Sequence, residues 1–185
     1  WVSLKILGIK KGDEVIISDF SFPATANVVE DLGAKPIFVD VDLDTLNVSL
    51  DDLEKKITPK TKCLMLVHAL GNCADMLKLT RICKKNKITL IEDSCEALGS
   101  RFKDRYLGTY GEISTFSFYF SHHITSGEGG LITCKSYDDY KILLSLRAHG
   151  WSRDLDSLKI KNKPSFYSQF NFINLGYNLR ATDIQ

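Results

Sequence analysis

KCLMLVHA (62–69), MLKLTRICKKN (76–86) and KITLIEDS (87–94) follow one another and decide the fold. The outer two are apolar runs of strand length. The middle one carries its apolar residues at helical spacing. Two parallel strands need a long crossover between them, and an amphipathic helix is the usual one. The strand cores, CLMLV and ITLI, are continuous rather than alternating, as expected of strands covered on both faces.

The same alternation extends in both directions. Upstream, residues 1–8 read as a helix ending at Gly8, KKGDEVIIS (10–18) as a turn into a strand, and ATANVVEDLGA (24–34) as a helix ending on Gly33. KPIFVDVD (35–42) is a further strand, and SLDDLEKKI (49–57) a helix capped by Ser49. Downstream, RFKDRYLG (101–108) and EISTFSFYF (112–120) read as strands around tight turns, GGLITCK (129–135) as another strand, and YDDYKILLSLRAHG (137–150) as a helix. Residues 152–172 are polar and irregular and read as a long loop. The whole pattern predicts an α/β fold: a mainly parallel sheet sandwiched by helices.

Composition narrows the class. The chain has 185 residues, with 24 Lys and Arg against 23 Asp and Glu, so its charge calls for neither a nucleic acid nor a membrane surface. Hydrophobic residues at 44% and charged residues at 25% fit a folded domain and exclude a disordered one. No apolar run is long enough to cross a bilayer. The five cysteines are odd in number and form no CxxC pair, which argues for reduced thiols, a cytoplasmic setting and no metal site. Trp1 opens an apolar helical run, and LRATDIQ (179–185) resembles a helix's first turn. Both ends therefore look cut, and a piece of a larger domain is expected.

Ligands of parallel sheets sit beyond the carboxyl ends of the strands. That rule selects DFSFPATA (19–26), EDSCEA (92–97) and SHHITSGEGG (121–130). At the second place, Glu92 and Asp93 are either capping or loop carboxylates, or a carboxylate for a protonated heterocycle nitrogen. At the third, Gly127, Gly129 and Gly130 match neither a P-loop nor GxGxxG. They either ease a tight turn or approach a ligand. The paired histidines have no ligand partners at metal spacing. One of them is suited to proton transfer near neutral pH. At the first place, Phe22 is either core or a ring stacked on a flat cofactor.

Taken in this order, the blocks resemble the DegT/DnrJ/EryC1/StrS sugar aminotransferase family. The resemblance covers essentially the whole chain. It is carried by GDEVIISDFSFPATANVVEDLGAKPIFVDVD (12–42), LIEDSCEALGS (90–100), GEISTFSFYFSHHITSGEGG (111–130) and LGYNLRATDIQ (175–185). It implies the fold-type I large domain of a pyridoxal-phosphate (PLP) enzyme acting on nucleotide-linked 4-keto sugars. Residues 1–185 would be that domain, incomplete at both ends, with the small C-terminal domain absent.

One departure matters. The family reads SF-x-x-x-K-N, and counting five residues from Ser117 gives His122 where the lysine belongs. A histidine cannot form the lysine's Schiff base. The resemblance then points to the 3-dehydratase branch, as does LRAHGWSRD (146–154), with pyridoxamine phosphate (PMP) held non-covalently. It implies His122 as catalytic base, Asp93 on the ring nitrogen, Phe22 on the ring face, Ser117 on the phosphate and Glu96 near the ring hydroxyl. Asn178 would reach the phosphate of a neighbouring subunit in a homodimer with shared sites. The implied partners are a nucleotide-linked 4-keto-6-deoxy sugar and glutamate as amino donor. No iron–sulfur cluster is expected, because residues 151–185 contain no cysteine. Two other readings follow: an aminotransferase using another lysine or none, with Lys161 and Lys163 as candidates, or a catalytically silent paralogue.

Overall fold

Six strands share one sheet in the computed structural model, which describes residues 1–155, 170–183 and 185. Trp1 with residues 3–133 forms one compact unit, and Val2 with residues 134–185 a second. In chain order the elements are α1 (Val2–Ile6), β1 (Glu14–Ser18), α2 (Ala24–Glu30), β2 (Lys35–Val39), β3 (Val41–Asp42), β4 (Asn47–Val48), α3 (Leu50–Lys56) and β5 (Thr61–Val67). They continue with α4 (Met76–Asn86), β6 (Thr89–Asp93), β7 (Arg101–Phe102), β8 (Arg105–Tyr106), β9 (Ile113–Ser117), β10 (Gly130–Cys134) and α5 (Tyr137–Leu146).

The sheet runs β10-β9-β6-β5-β1-β2. Strands β2, β1, β5, β6 and β9 pair in parallel. Val15, Ile16 and Ile17 are buried in succession on β1, so both faces of the sheet are covered there. Helix α2 packs on β1 and β2, α3 on β2 and α4, and α4 on β6. An apolar core cluster joins Ile16, Leu64, Leu66 and Leu90 of the sheet to Leu53, Met76, Leu79 and Ile82 of the helices. The expected α/β architecture is therefore present.

Helix α4 follows its sequence closely. Met76, Leu79, Ile82 and Cys83 form its buried stripe. The Asp75 side chain caps it, accepting the amides of Leu77 and Lys78 at 3.0 Å each. Helix α3 differs from expectation. Ser49 stands at its N-cap but makes no side-chain cap bond. Asp51 and Asp52 in the first turn, with Lys55 and Lys56 in the last, complement the helix dipole instead.

The strands around a tight turn expected over 101–108 are a hairpin of two-residue strands, with Lys103 in the left-handed region at its turn. Two further expectations change. The strand expected over 112–120 stops at Ser117, whose hydroxyl takes the Tyr119 amide at 3.2 Å and so competes with the ladder. Residues 179–183 hold no helix. Thr182 and Gln185 do make a helix-entry pairing, the Thr182 amide donating to Gln185 Oε1 at 2.9 Å.

Within the second unit, the chain after α5 folds back on itself. The His149 amide donates to the Tyr177 carbonyl, and the Tyr177 amide to Leu146. Trp151 stacks with Phe170 and with Phe172, at centroid distances of 6.4 and 5.8 Å. Gly150 has φ +84°, and a Cβ there would lie 1.7 Å from the Asn174 carbonyl oxygen.

Two substitutions check these assignments by denaturant unfolding. Asp75→Ala removes both cap bonds of α4 and should lower stability by about 1 kcal/mol. Gly150→Ala should cost more, because the Asn174 backbone would have to move as well as the strained φ be borne.

Candidate active site

Four neighbouring strands, β1, β5, β6 and β9, end at one edge of the sheet. Their carboxyl ends and following loops enclose a cavity of about 840 Å³. From β1 come Asp19, Phe20, Ser21 and Phe22; from β5, Val67, Ala69 and Leu70. Asp93 ends β6, with Cys95 and Glu96 after it, and Ser117 ends β9, with Tyr119, Ser121, His122 and Glu128 after it. Every lining residue belongs to the first unit.

Asp93 is half-buried at the end of β6. Its Oδ1 accepts the Cys95 amide at 3.1 Å, which fixes the carboxylate's orientation. Burial, and then the Asp93 charge beside it, push the Cys95 thiol well above its ordinary range, so Cys95 stays a thiol. Ser117 accepts the Tyr119 amide on its oxygen, which leaves its hydroxyl hydrogen to donate elsewhere. The His122 amide donates to the Tyr119 carbonyl at 3.1 Å, closing a turn. The two rings meet edge to face with centroids 6.3 Å apart. Phe22 is 77% exposed at the cavity, so it is not a core residue of this chain.

Glu96 is in the cavity lining, and its Oε2 accepts the Leu70 amide at 2.8 Å. That bond holds Leu70 at φ +53°, a left-handed conformation uncommon for a side chain of this size. The second histidine, His123, is absent from the lining residues. Asn178 lies in the second unit, bridged to Ala148, with its Oδ1 accepting Arg180 Nε at 2.9 Å. Lys161 and Lys163 lie outside the described residues.

Sequence reasoning named Glu92 beside Asp93 as a strand-end carboxylate, but missed that it is buried and paired with His68 rather than turned to the cavity. Glu92 and His68 are both fully buried, with His68 Nε2 2.9 Å from Glu92 Oε2. The same Oε2 accepts the Gly108 amide at 2.8 Å, and Oε1 accepts the Gly111 amide at 2.6 Å. A Cβ on Gly111 would meet the Leu90 carbonyl oxygen at 2.6 Å, so only glycine lets that amide come so close. The rule that selected the other strand ends applies equally to the end of β5. It would have flagged HALG (68–71), the turn that carries His68 and Leu70.

These residues can bind a flat, phosphate-bearing heteroaromatic group. Asp93 offers a charged acceptor, Phe22 an apolar ring, Ser117 a hydroxyl donor and His122 a proton carrier. The sequence profile of the DegT/DnrJ/EryC1/StrS aminotransferase family matches residues 1–185. The chain belongs to that family. It is 40% identical over 179 residues to a GDP-4-keto-6-deoxy-D-mannose 3-dehydratase of Yersinia pseudotuberculosis, covering 95% of this chain and 46% of that protein. It is 38% identical over 183 residues to a GDP-perosamine synthase of Escherichia coli O157:H7, covering 99% and 47%. A solved GDP-4-keto-6-deoxymannose-3-dehydratase with a trapped PLP-glutamate geminal diamine matches with a TM-score of 0.88 at 34% identity, over 97% of this chain and 50% of that one. The chain thus spans about half the length of the curated relatives it matches. The fold of this family member is aminotransferase fold type I, as the sequence resemblance implied. Among the described residues, no helix is long and apolar enough to cross a membrane.

Glu92 makes acid stability a test of this geometry. Burial works to raise its pKa, but the hydrogen bonds from His68, Gly111 and Gly108 outweigh it and hold the carboxyl below its ordinary value of 4.5. A lowered folded-state pKa contributes stability that is full above the unfolded value and is lost as pH falls through the folded one. Unfolding measured between about pH 3 and 7 should therefore show a decline below about pH 4.5 that Glu92→Gln flattens.

Proposed function

We propose that the protein holds PLP or PMP in this cavity and removes the C3 hydroxyl of a nucleotide-linked 4-keto-6-deoxyhexose. The supporting observation is His122. It lines the cavity at the place where the family pattern has its Schiff-base lysine, and among the described residues no lysine lines that cavity. The names of the relatives support a nucleotide-linked keto sugar as substrate. The PLP-glutamate adduct of the solved relative supports the cofactor, with glutamate as amino donor.

When bound, the cofactor's pyridine ring supplies an electron sink through its protonated nitrogen. Asp93, fixed by the Cys95 amide, keeps that nitrogen's proton in place. Phe22 covers the ring face and excludes water, and Ser117 Oγ donates to the phosphate. Glu96 stands near the ring hydroxyl while holding Leu70. Without a lysine amine, the protein retains the cofactor through these non-covalent contacts alone. The His122 imidazole would take the proton released at the cofactor's reacting carbon and pass it to the departing C3 oxygen, and glutamate would supply the two electrons by restoring the cofactor's amine. In a homodimer with shared sites, Asn178 reaches the phosphate in the neighbouring subunit. Residues 1–185 correspond to the cofactor-binding large domain, and a cytoplasmic setting fits the free thiols.

A second reading, glutamate-dependent amino transfer to C4, is favoured by the match to GDP-perosamine synthase. The products separate the two. Dehydration loses the C3 oxygen, whereas amino transfer retains it and adds nitrogen at C4.

Borohydride treatment of the PLP-loaded protein should leave the cofactor extractable, and mass spectrometry of the sugar product should show loss of the C3 oxygen. Covalent trapping on a lysine would overturn the reading. His122→Asn should slow dehydration by roughly 10²- to 10⁴-fold, the usual worth of acid–base help. His122→Lys should make the cofactor borohydride-fixable. An unchanged cofactor spectrum in that variant would remove His122 from the role.

A further inference from the structure

We infer that His68 and Glu92 form a buried positioning pair, which sets the Asp93 carboxylate and the Leu70 turn at the ends of β6 and β5. The inference rests on the cofactor reading above, and neither residue lines the cavity.

Side chains alternate along a strand, so Glu92 and Asp93 face opposite sides of β6. Asp93 turns to the cavity, and Glu92 to the buried side. Three donors converge on Glu92, from the His68 ring and from the amides of Gly108 and Gly111. A carboxylate so held is desolvated but fully partnered, and these charge-assisted bonds are the strong, directional kind. They pin the backbone one residue before Asp93 to the loop ahead of β9. The His68 amide also donates to the Asp93 carbonyl at 3.1 Å, tying β5 to β6 at the last residue before the cavity.

The His68 ring has one polar tether. Its Nε2 faces Glu92, and its Nδ1 is buried with no hydrogen-bond partner among the described residues. Glu92 alone therefore sets the ring's orientation by a polar contact. Because the ionised carboxylate only accepts, Nε2 carries the hydrogen. His68 in turn begins the Ala69–Gly71 turn that presents Leu70, which is 70% exposed beside the cavity. One buried carboxylate thus orders two of the four strand ends that build the site.

Glu92→Gln is not a mild change here. Its amide nitrogen replaces one oxygen and must then meet the Gly111 amide or the Gly108 amide, donor against donor. His68→Phe keeps a ring but removes the donor. His68→Gln places an amide nitrogen near the position of Nε2 and so keeps the donor.

The test uses the PLP-loaded holoenzyme, with Asp93→Asn as reference. Absorption spectrum, kcat, KM for the sugar nucleotide and thermal midpoint are read together. Glu92→Gln and His68→Phe should shift the cofactor band toward that of Asp93→Asn and lower kcat by roughly 10- to 100-fold, as small misplacements of a reacting geometry do. KM should stay within about twofold, while His68→Gln restores both spectrum and kcat to near wild type. A lowered midpoint with unchanged spectrum and kcat would assign the pair to stability alone and overturn the inference. Failure of both Glu92→Gln and His68→Phe to fold would do the same. Equal behaviour of His68→Phe and His68→Gln would also count against it. If the wild type itself shows no cofactor band, the functional reading falls, and this inference with it. A wild-type band with indifferent variants overturns this inference alone.

Discussion

A carboxylate with no access to water is tolerated only where donors replace its hydration, and Glu92 is such a case. It is fully buried, yet each oxygen accepts at least one bond. Those donors come from three separate places in the chain: the turn after β5, Gly108 and Gly111. Losing any of them would leave charge uncompensated inside the protein, a cost of several kcal/mol. The arrangement is therefore nearly all-or-none, and it fixes the edge of the sheet on which the cavity is built.

The position of the cavity follows from that edge. Parallel strands all deliver their carboxyl ends to one side, where the ladder stops and backbone and side chains become available to a ligand. Here β1, β5, β6 and β9 each contribute residues from that end. The polar groups there are held by local bonds rather than left to solvent: Asp93 by the Cys95 amide, Glu96 by the Leu70 amide, Ser117 by the Tyr119 amide. Each bond costs side-chain freedom before any ligand arrives, so less remains to be lost on binding.

Periodicity made the fold legible wherever a segment had one buried stripe. Helix α4 occupies Met76–Asn86, the segment read from its apolar spacing, and β1 and β6 sit inside their apolar runs. Local competition was less visible. Ser117 looks like one more strand residue, and only the structure shows its hydroxyl drawing the Tyr119 amide out of the ladder. Ser49 has the right type and place for a cap, but type and place do not fix where a hydroxyl points. In the site, Asp93, Phe22, Ser117, Glu96 and His122 are brought to one cavity because each follows a strand end. Glu92 was legible only as a strand-end carboxylate, and its link to His68 stayed hidden because their meaning is pairwise. They stand 24 positions apart in the chain, and only the β5–β6 register sets them side by side.

On the proposed reading, sheet, cavity and Asp93 would serve dehydration and amino transfer alike, so the fold itself does not choose between them. The choice rests on what His122 can and cannot do. An imidazole takes and gives a proton near neutral pH, but it cannot hold the cofactor through the imine that a lysine amine forms. Retention then falls to contacts that work at equilibrium: a charge on the ring nitrogen, a ring against a ring, a hydroxyl on a phosphate. Such contacts are sensitive to small displacements, because no covalent bond restores the geometry when one of them slips. A histidine at this place therefore raises the demand on whatever fixes Asp93. The buried pair of Glu92 and His68, one residue behind it, would meet that demand from the buried side of the sheet.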